Sequence, residues 1–236
     1  MGIPIRKSTD IMPRTRLALS ILALALTATV SFGGAPTDKR PTWFIFLETG
    51  KKTPDDKQAV QKMQMGHIQN FKRLFGEKKL FAAGPLADPM KKKRGIVVVK
   101  ADSKKELLTC FQPDEYVREG YMTVNAERSV VHKPLNTEEI DPESIEEERI
   151  VQISRPAKRA THKEKQANEA FFQSLMDKGT VGGWYTLAEG SVAEVLFCRT
   201  TDTKALEAIF AQTPTVKAAK ASALIWPQWL SKGVVK

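Results

Sequence analysis

The chain has 236 residues and a formal net charge of +10; 42% of its residues are hydrophobic and 27% charged. That balance suits one medium or two small globular domains, and it excludes a disordered, collagenous or multi-span membrane protein. Three histidines and two cysteines cannot supply the closely spaced ligands of a zinc finger or an iron–sulfur cluster.

Residues 1–35 read as a secretory signal peptide. Arg6, Lys7, Arg14 and Arg16 make a basic head, Leu17 to Val30 is almost wholly apolar, and Ser31, Gly33, Gly34 and Ala35 give a small-residue exit. The apolar run falls short of the ~20 residues of a membrane helix. The expectation is a periplasmic or secreted protein with no stable membrane span after processing. An uncleaved anchor is the alternative. The basic run Lys91 to Arg94 reads as a solvated loop face. Without interleaved aromatics or a groove-reading element, no nucleic-acid partner is expected.

The first half, residues 42–135, alternates strands and helices. Trp43 to Glu48 is a strand with both faces apolar, so both must be covered. A helix follows from about Lys57 to Glu77, its apolar stripe formed by Val60, Met63, His67, Ile68, Phe71, Leu74 and Phe75. Leu80 to Leu86 is a strand interrupted by Gly84-Pro85; Ala87 to Arg94 is a polar hairpin loop; Gly95 to Lys100 is another strand apolar on both faces. Ser103 to Phe111 is a short helix capped by Asp102 or Ser103 and stopped at Pro113, and Tyr121 to Lys133 is a long last strand. The order β-α-β-β-α-β predicts a split βαβ sheet with helices on one face, its open face covered by a second sheet.

Residues 136–148 hold seven acids and Pro142, and read as an acidic linker. Residues 149–232 then repeat the plan. Strands are expected over Arg149 to Ser154, Thr180 to Leu187, Ser191 to Arg199 and Ala221 to Leu230, with helices over Thr161 to Lys178 and Thr203 to Phe210. Phe71 and Leu74 align with Phe172 and Leu175, Phe111 with Phe210, and Val117 with Val216. The fold class predicted is α+β: two ferredoxin-like units packed sheet to sheet within one chain. Such a chain can stand as a monomer, or dimerise further.

His67, Leu74, Leu80, Gly84-Pro85, Pro113-Asp114-Glu115-Tyr116-Val117, Gly120 and Lys133-Pro134 together resemble the YCII-related family over about residues 42–135. The resemblance implies a dimeric α+β barrel, which the two ferredoxin-like units would form within one chain as a pseudo-dimer, and it carries over a histidine–aspartate pair, His67 and Asp114, as the catalytic residues. The second half departs from it: Asn168 stands where His67 stands and Thr213 where Asp114 stands, and Gly182-Gly183 lies near the place of Gly84-Pro85. It reads as a degenerate copy that keeps the shape and loses the site.

His67 can exchange a proton near neutral pH, and a carboxylate on one ring nitrogen would fix its tautomer. Asp114 is the candidate orienter, or simply a cap on the turn that follows. Gly84, Pro85 and Tyr116 are candidates to line a pocket for a small polar ligand. His132 and His162 have no histidine partner at ligand spacing and read as structural or surface residues, so no metal is expected. No nucleophile elbow or phosphate-cradling glycine loop occurs, and no cofactor is expected. Cys110 and Cys198 lie at unlike positions of the two halves, which favours two small buried hydrophobes over a disulfide. Three functions compete: a small-molecule enzyme using the His–Asp pair, a non-catalytic ligand-binding module, and a structural or partner-binding protein.

Overall fold

The computed structural model describes residues 38–158 and 160–236. The signal-peptide reading of residues 1–35 lies outside them. Fourteen elements follow one another: β1 (Thr42–Thr49), α1 (Lys57–Gly76), β2 (Leu80–Pro85), β3 (Lys93–Lys100), α2 (Lys104–Thr109), α3 (Glu115–Arg118), β4 (Met122–Lys133), β5 (Asp141–Ser154), α4 (His162–Asp177), β6 (Gly183–Leu187), β7 (Val192–Cys198), α5 (Thr203–Phe210), α6 (Pro214–Lys217) and β8 (Ala223–Lys232). The element order β-α-β-β-α-β occurs twice, with one extra helical turn, α3 and α6, before each last strand.

The strands form one eight-stranded antiparallel sheet in the order β2-β3-β1-β4-β6-β7-β5-β8. The isolated bridge Leu86↔Gln228 brings its two edges together, so the sheet curls into a nearly closed barrel of two ferredoxin-like halves. The expected packing of face on face is present, and the halves also join edge to edge through β4 and β6. Strand alternation explains the layers. Phe44 and Phe46 point into a shared interior with Ile96, Val98, Ile150, Tyr185, Val195 and Phe197. Their neighbours Trp43, Ile45 and Leu47 point outward beneath the first-half helices, with Leu74, Leu107 and Phe111. The second half repeats this with Val151, Ile153, Phe172, Leu196, Leu206 and Phe210. This double burial is why the sequence shows continuous apolar runs.

The two seams differ. At one, β4 and β6 form a regular ladder from Ser129↔Leu187 through Val131↔Tyr185. At the other, β8 carries Pro227, whose carbonyl accepts from Ala87 N at 3.0 Å. In an antiparallel strand a residue's N and O face the same neighbour, so proline removes a donor from this seam. The Gln228 side chain substitutes by donating to Pro85 O at 2.8 Å. Gly84 is required here: a Cβ on it would overlap the carbonyl oxygen of Trp229. In register, Gly84 faces Ile96 while Tyr185 faces Val195. The counterpart of Gly84 in the second half is therefore Tyr185, two residues beyond the Gly182-Gly183 pair expected there.

The acidic linker needs correction. From Asp141 onward it is the first half of β5, paired with β8 from Asp141↔Lys232 and Ile145↔Ser231 inward. Its acids have local uses: Glu147 pairs with Arg149 at 2.7 Å and Glu146 accepts from Gly233 N at 3.2 Å. Glu148 points inward, and burial pushes its carboxyl up to about 7. Cys110 and Cys198 are separate buried thiols in different core clusters. Among the described residues, no helix is long and apolar enough to cross a membrane.

Candidate functional site

α1 begins at Asp56, whose side chain accepts from Gln58 N and Ala59 N, a common N-cap arrangement. Its inner face buries Met63, His67, Asn70 and Leu74 at i, i+4, i+7 and i+11. This spacing turns His67 toward the neighbouring α3. Asp114 is the N-cap of α3: its Oδ1 accepts from Tyr116 N at 3.0 Å. Its other oxygen, Oδ2, lies 2.6 Å from His67 Nδ1. The capping and orienting roles weighed for Asp114 thus coexist, one on each oxygen. Asp114 is fully buried and His67 is 8% exposed. The imidazole is further fixed by the Phe71 ring at 4.4 Å and by the Tyr116 ring, edge-on, at 5.7 Å.

His67 lines a cleft of about 390 Å³ between α1 and the outer face of the sheet. Gly84 and Pro85 line it too, with Gln64, Phe71 and Arg94. Tyr116 does not; it is buried behind the imidazole, with its hydroxyl 3.4 Å from Val60 O. An ionised carboxylate accepts only, so Asp114 calls for a proton on Nδ1. Nε2 then carries the lone pair, on a side chain that borders the cleft. This arrangement can take a proton from a bound molecule and return it.

Among the lining residues that the sequence reading does not single out, Arg94 and Ile145 are placed by features of the strands. Arg94 closes the run read as a solvated loop face, and a bulge reassigns it. The pairing of β1 with β3 steps from Leu47↔Gly95 to Glu48↔Lys93, turning Lys93 inward and leaving Arg94 outward at the cleft. Lys93 Nζ sits 3.9 Å from the Phe46 ring centre and donates to Gln152 Oε1 at 2.6 Å. Ile145, in the segment read as linker, reaches the same cleft from β5. The strand bulge was not visible without the partner strand, and the long acidic run masked β5.

In the second half, Asn168 occupies the place of His67. It bonds not Thr213 but Thr215: Asn168 Nδ2 donates to Thr215 Oγ1 at 2.9 Å, and Thr215 N donates to Asn168 Oδ1 at 3.2 Å. Thr213, the N-cap of α6, makes no capping hydrogen bond, and its buried hydroxyl has no partner among the described residues. The amide–hydroxyl contact keeps α4 tied to α6 but has no group that exchanges protons near neutral pH.

No family model matches the chain, and no curated protein does. Among solved structures, it is similar to a "putative monooxygenase" of Fusobacterium nucleatum, with TM-score 0.52 and 8% identity over 84% of this chain and 96% of that one. It is also similar to a "putative monooxygenase" of Lactobacillus acidophilus, with TM-score 0.49 and 11% identity over 84% and 99%. A heme-binding protein of Thermus thermophilus gives TM-score 0.47 and 13% identity over 82% and 90%. At these identities the likeness is one of fold.

Proposed function

We propose that this chain is an exported, YCII-related small-molecule enzyme in which His67 is the acid–base residue and Asp114 its positioning partner. The observation that carries the reading is the 2.6 Å contact of His67 Nδ1 with the buried Asp114, on a histidine that borders a cleft. The family part is supported by the meeting of residues 47 positions apart, both members of the resemblance, beside its Gly84-Pro85 pair. The export part is supported by the basic, apolar and small-residue order of residues 1–35. Intact-mass analysis of exported material checks it: loss of roughly the first 35 residues is expected, and an unprocessed cytosolic chain contradicts it.

The cleft suggests the substrate class. Its walls are mainly apolar, from Leu47, Ile68, Phe71, Pro85, Ile96 and Met122, with Arg94 as the cation. A small, partly apolar carbon acid carrying an anionic group fits: Arg94 would hold the anion and His67 Nε2 would take the acidic proton. Asp114 stabilises the imidazolium so formed. One pair of this kind suits proton transfer, isomerisation or elimination better than cleavage of an unactivated bond.

The test is incubation in deuterated water with a panel of small oxo and hydroxy acids, followed by mass spectrometry for deuterium at carbon. Incorporation by the native chain and its loss in His67→Gln is the expected result. Binding of panel members without exchange would favour the ligand-binding module, and equal exchange by His67→Gln would refute the assignment.

A further inference from the structure

The second half, stripped of the His–Asp pair, carries a different constellation in the corresponding place. The cleft between α4 and the outer face of β6 and β7 has a volume of about 680 Å³. Glu194 of β7 lines it, and Trp184 Nε1 and Thr186 Oγ1 donate to the same carboxylate oxygen, Oε2, at 2.9 and 2.6 Å. No described residue donates to Oε1. His132 Nε2 lies 2.8 Å from Thr186 Oγ1, and its ring stacks on the Trp184 indole at 3.7 Å and 14°. The line His132–Thr186–Glu194 is continuous.

Hydrogen-bond bookkeeping makes this line a relay. A threonine hydroxyl has one proton. With Glu194 ionised, that proton goes to Oε2, so His132 must donate from Nε2. With Glu194 protonated on Oε2, the carboxyl donates to Thr186, Thr186 donates to His132, and the imidazole proton moves to Nδ1. An ionised Glu194 therefore fixes the His132 proton on Nε2, a proton on Oε2 moves it to Nδ1, and a proton on Oε1 leaves the line as it is.

The other groups facing the cleft indicate what it takes. Arg155, just after β5, donates to the carbonyls of Leu187, Glu189, Gly190 and Val192 at 2.7 to 3.2 Å; its N–H groups hold the β6–β7 turn. Lys165 and Glu169 stand on α4, both exposed. Asn168 and Thr215 satisfy each other. The walls are Val130, Ile153, Ala188 and Ala193. What remains unsatisfied inside is acceptor capacity, on Glu194 Oε1.

We propose that this cleft is a second ligand site, which takes a small molecule bearing a primary ammonium on Glu194 Oε1, and that binding expels the Glu194 proton to solvent and leaves the His132 proton on Nε2. Burial, with Glu169 adding like charge and Arg155 opposing it, pushes the Glu194 carboxyl up to about 7. An incoming ammonium supplies a cation in direct contact with the carboxylate, which Arg155, committed to backbone carbonyls, does not. The site is independent of the His67 cleft and of its proposed role.

Benzylamine is the probe, with phenylacetate as its anionic counterpart, and the readouts are the Trp184 indole ¹⁵N–H signal and the His132 ring nitrogens in NMR titrations of the full chain. Benzylamine is expected to shift both saturably and to leave His132 protonated on Nε2. Its apparent affinity should rise about tenfold per pH unit below the Glu194 midpoint and level above it. Phenylacetate should give no saturable shift, and Glu194→Gln should weaken benzylamine at least about tenfold. The proposal is overturned if benzylamine does not saturate, if phenylacetate binds equally well, or if affinity is independent of pH. All three outcomes are read on the native chain and do not depend on the variant folding.

Discussion

Asp114 performs two jobs with two oxygens, and substitution can separate them. Asp114→Ala removes the cap from Tyr116 N and the partner from His67 Nδ1. A lost cap costs about 1 kcal/mol, and a buried ring nitrogen left unpaired costs about 1–3 kcal/mol. The sum is about 2–4 kcal/mol, a large fraction of the stability of an ordinary domain. Asp114→Asn keeps an oxygen for Tyr116 N but turns an amide N–H toward His67. The imidazole can answer by accepting at Nδ1 and carrying its proton on Nε2, so the cost should be nearer 1 kcal/mol. Urea unfolding should rank native above Asn above Ala, with an unchanged m-value. Reaction with diethylpyrocarbonate, followed at His67 by peptide mass spectrometry, needs the Nε2 lone pair. It should slow in Asp114→Asn although the ring stays in place. An Ala variant within about 0.5 kcal/mol of native, or an unchanged rate in the Asn variant, would refute the two-job account.

Gly84→Ala should open the Pro227 seam by driving a methyl group into the Trp229 carbonyl, at a cost of about 1–3 kcal/mol; amide exchange at Ala87 should rise, and unchanged exchange would contradict this. Glu148 and Glu194 have carboxyls raised from 4.5 to about 7. Between those values each holds a proton when folded and has lost it when unfolded, so stability should fall as pH rises through that window and flatten above it. Glu148→Gln should shallow the slope, and a rise in urea midpoint across the same window would sink the argument. The opposing group Glu164, lowered to about 2 by Lys220 and the α4 cap, loses its contribution only below about 4.5. Burial pushes the Cys198 thiol up to about 12, so it should resist alkylation in the native state, and a non-reducing peptide map should show no Cys110–Cys198 bridge.

The parts legible in the sequence were those written in local pattern. Apolar residues on successive strand positions, as in Phe44 to Leu47, announced burial on both faces, and the i, i+4 placement of Met63 and His67 put the histidine on the inner face of α1. The pairing of Phe111 with Phe210 and of Leu74 with Leu175 exposed the repeat. What escaped depended on partners distant in the chain. The bulge opposite Glu48 sends Arg94 to the cleft, and β8 recruits Ile145 and the acids around it into a strand. Gly84 reads as a pocket-lining candidate, but the Trp229 carbonyl that demands a glycine there lies in the other half. His132 reads as a structural or surface residue, because Thr186 and Glu194 join it only once β4, β6 and β7 lie side by side.

The most direct measurement of the dyad is the pair of ¹⁵N shifts of the His67 ring in the native chain, taken where the imidazole is neutral. A protonated Nδ1 bonded to Asp114 and a bare Nε2 at the cleft are the predicted result. A neutral ring protonated on Nε2 would leave no base facing the cleft and would contradict the assignment of His67.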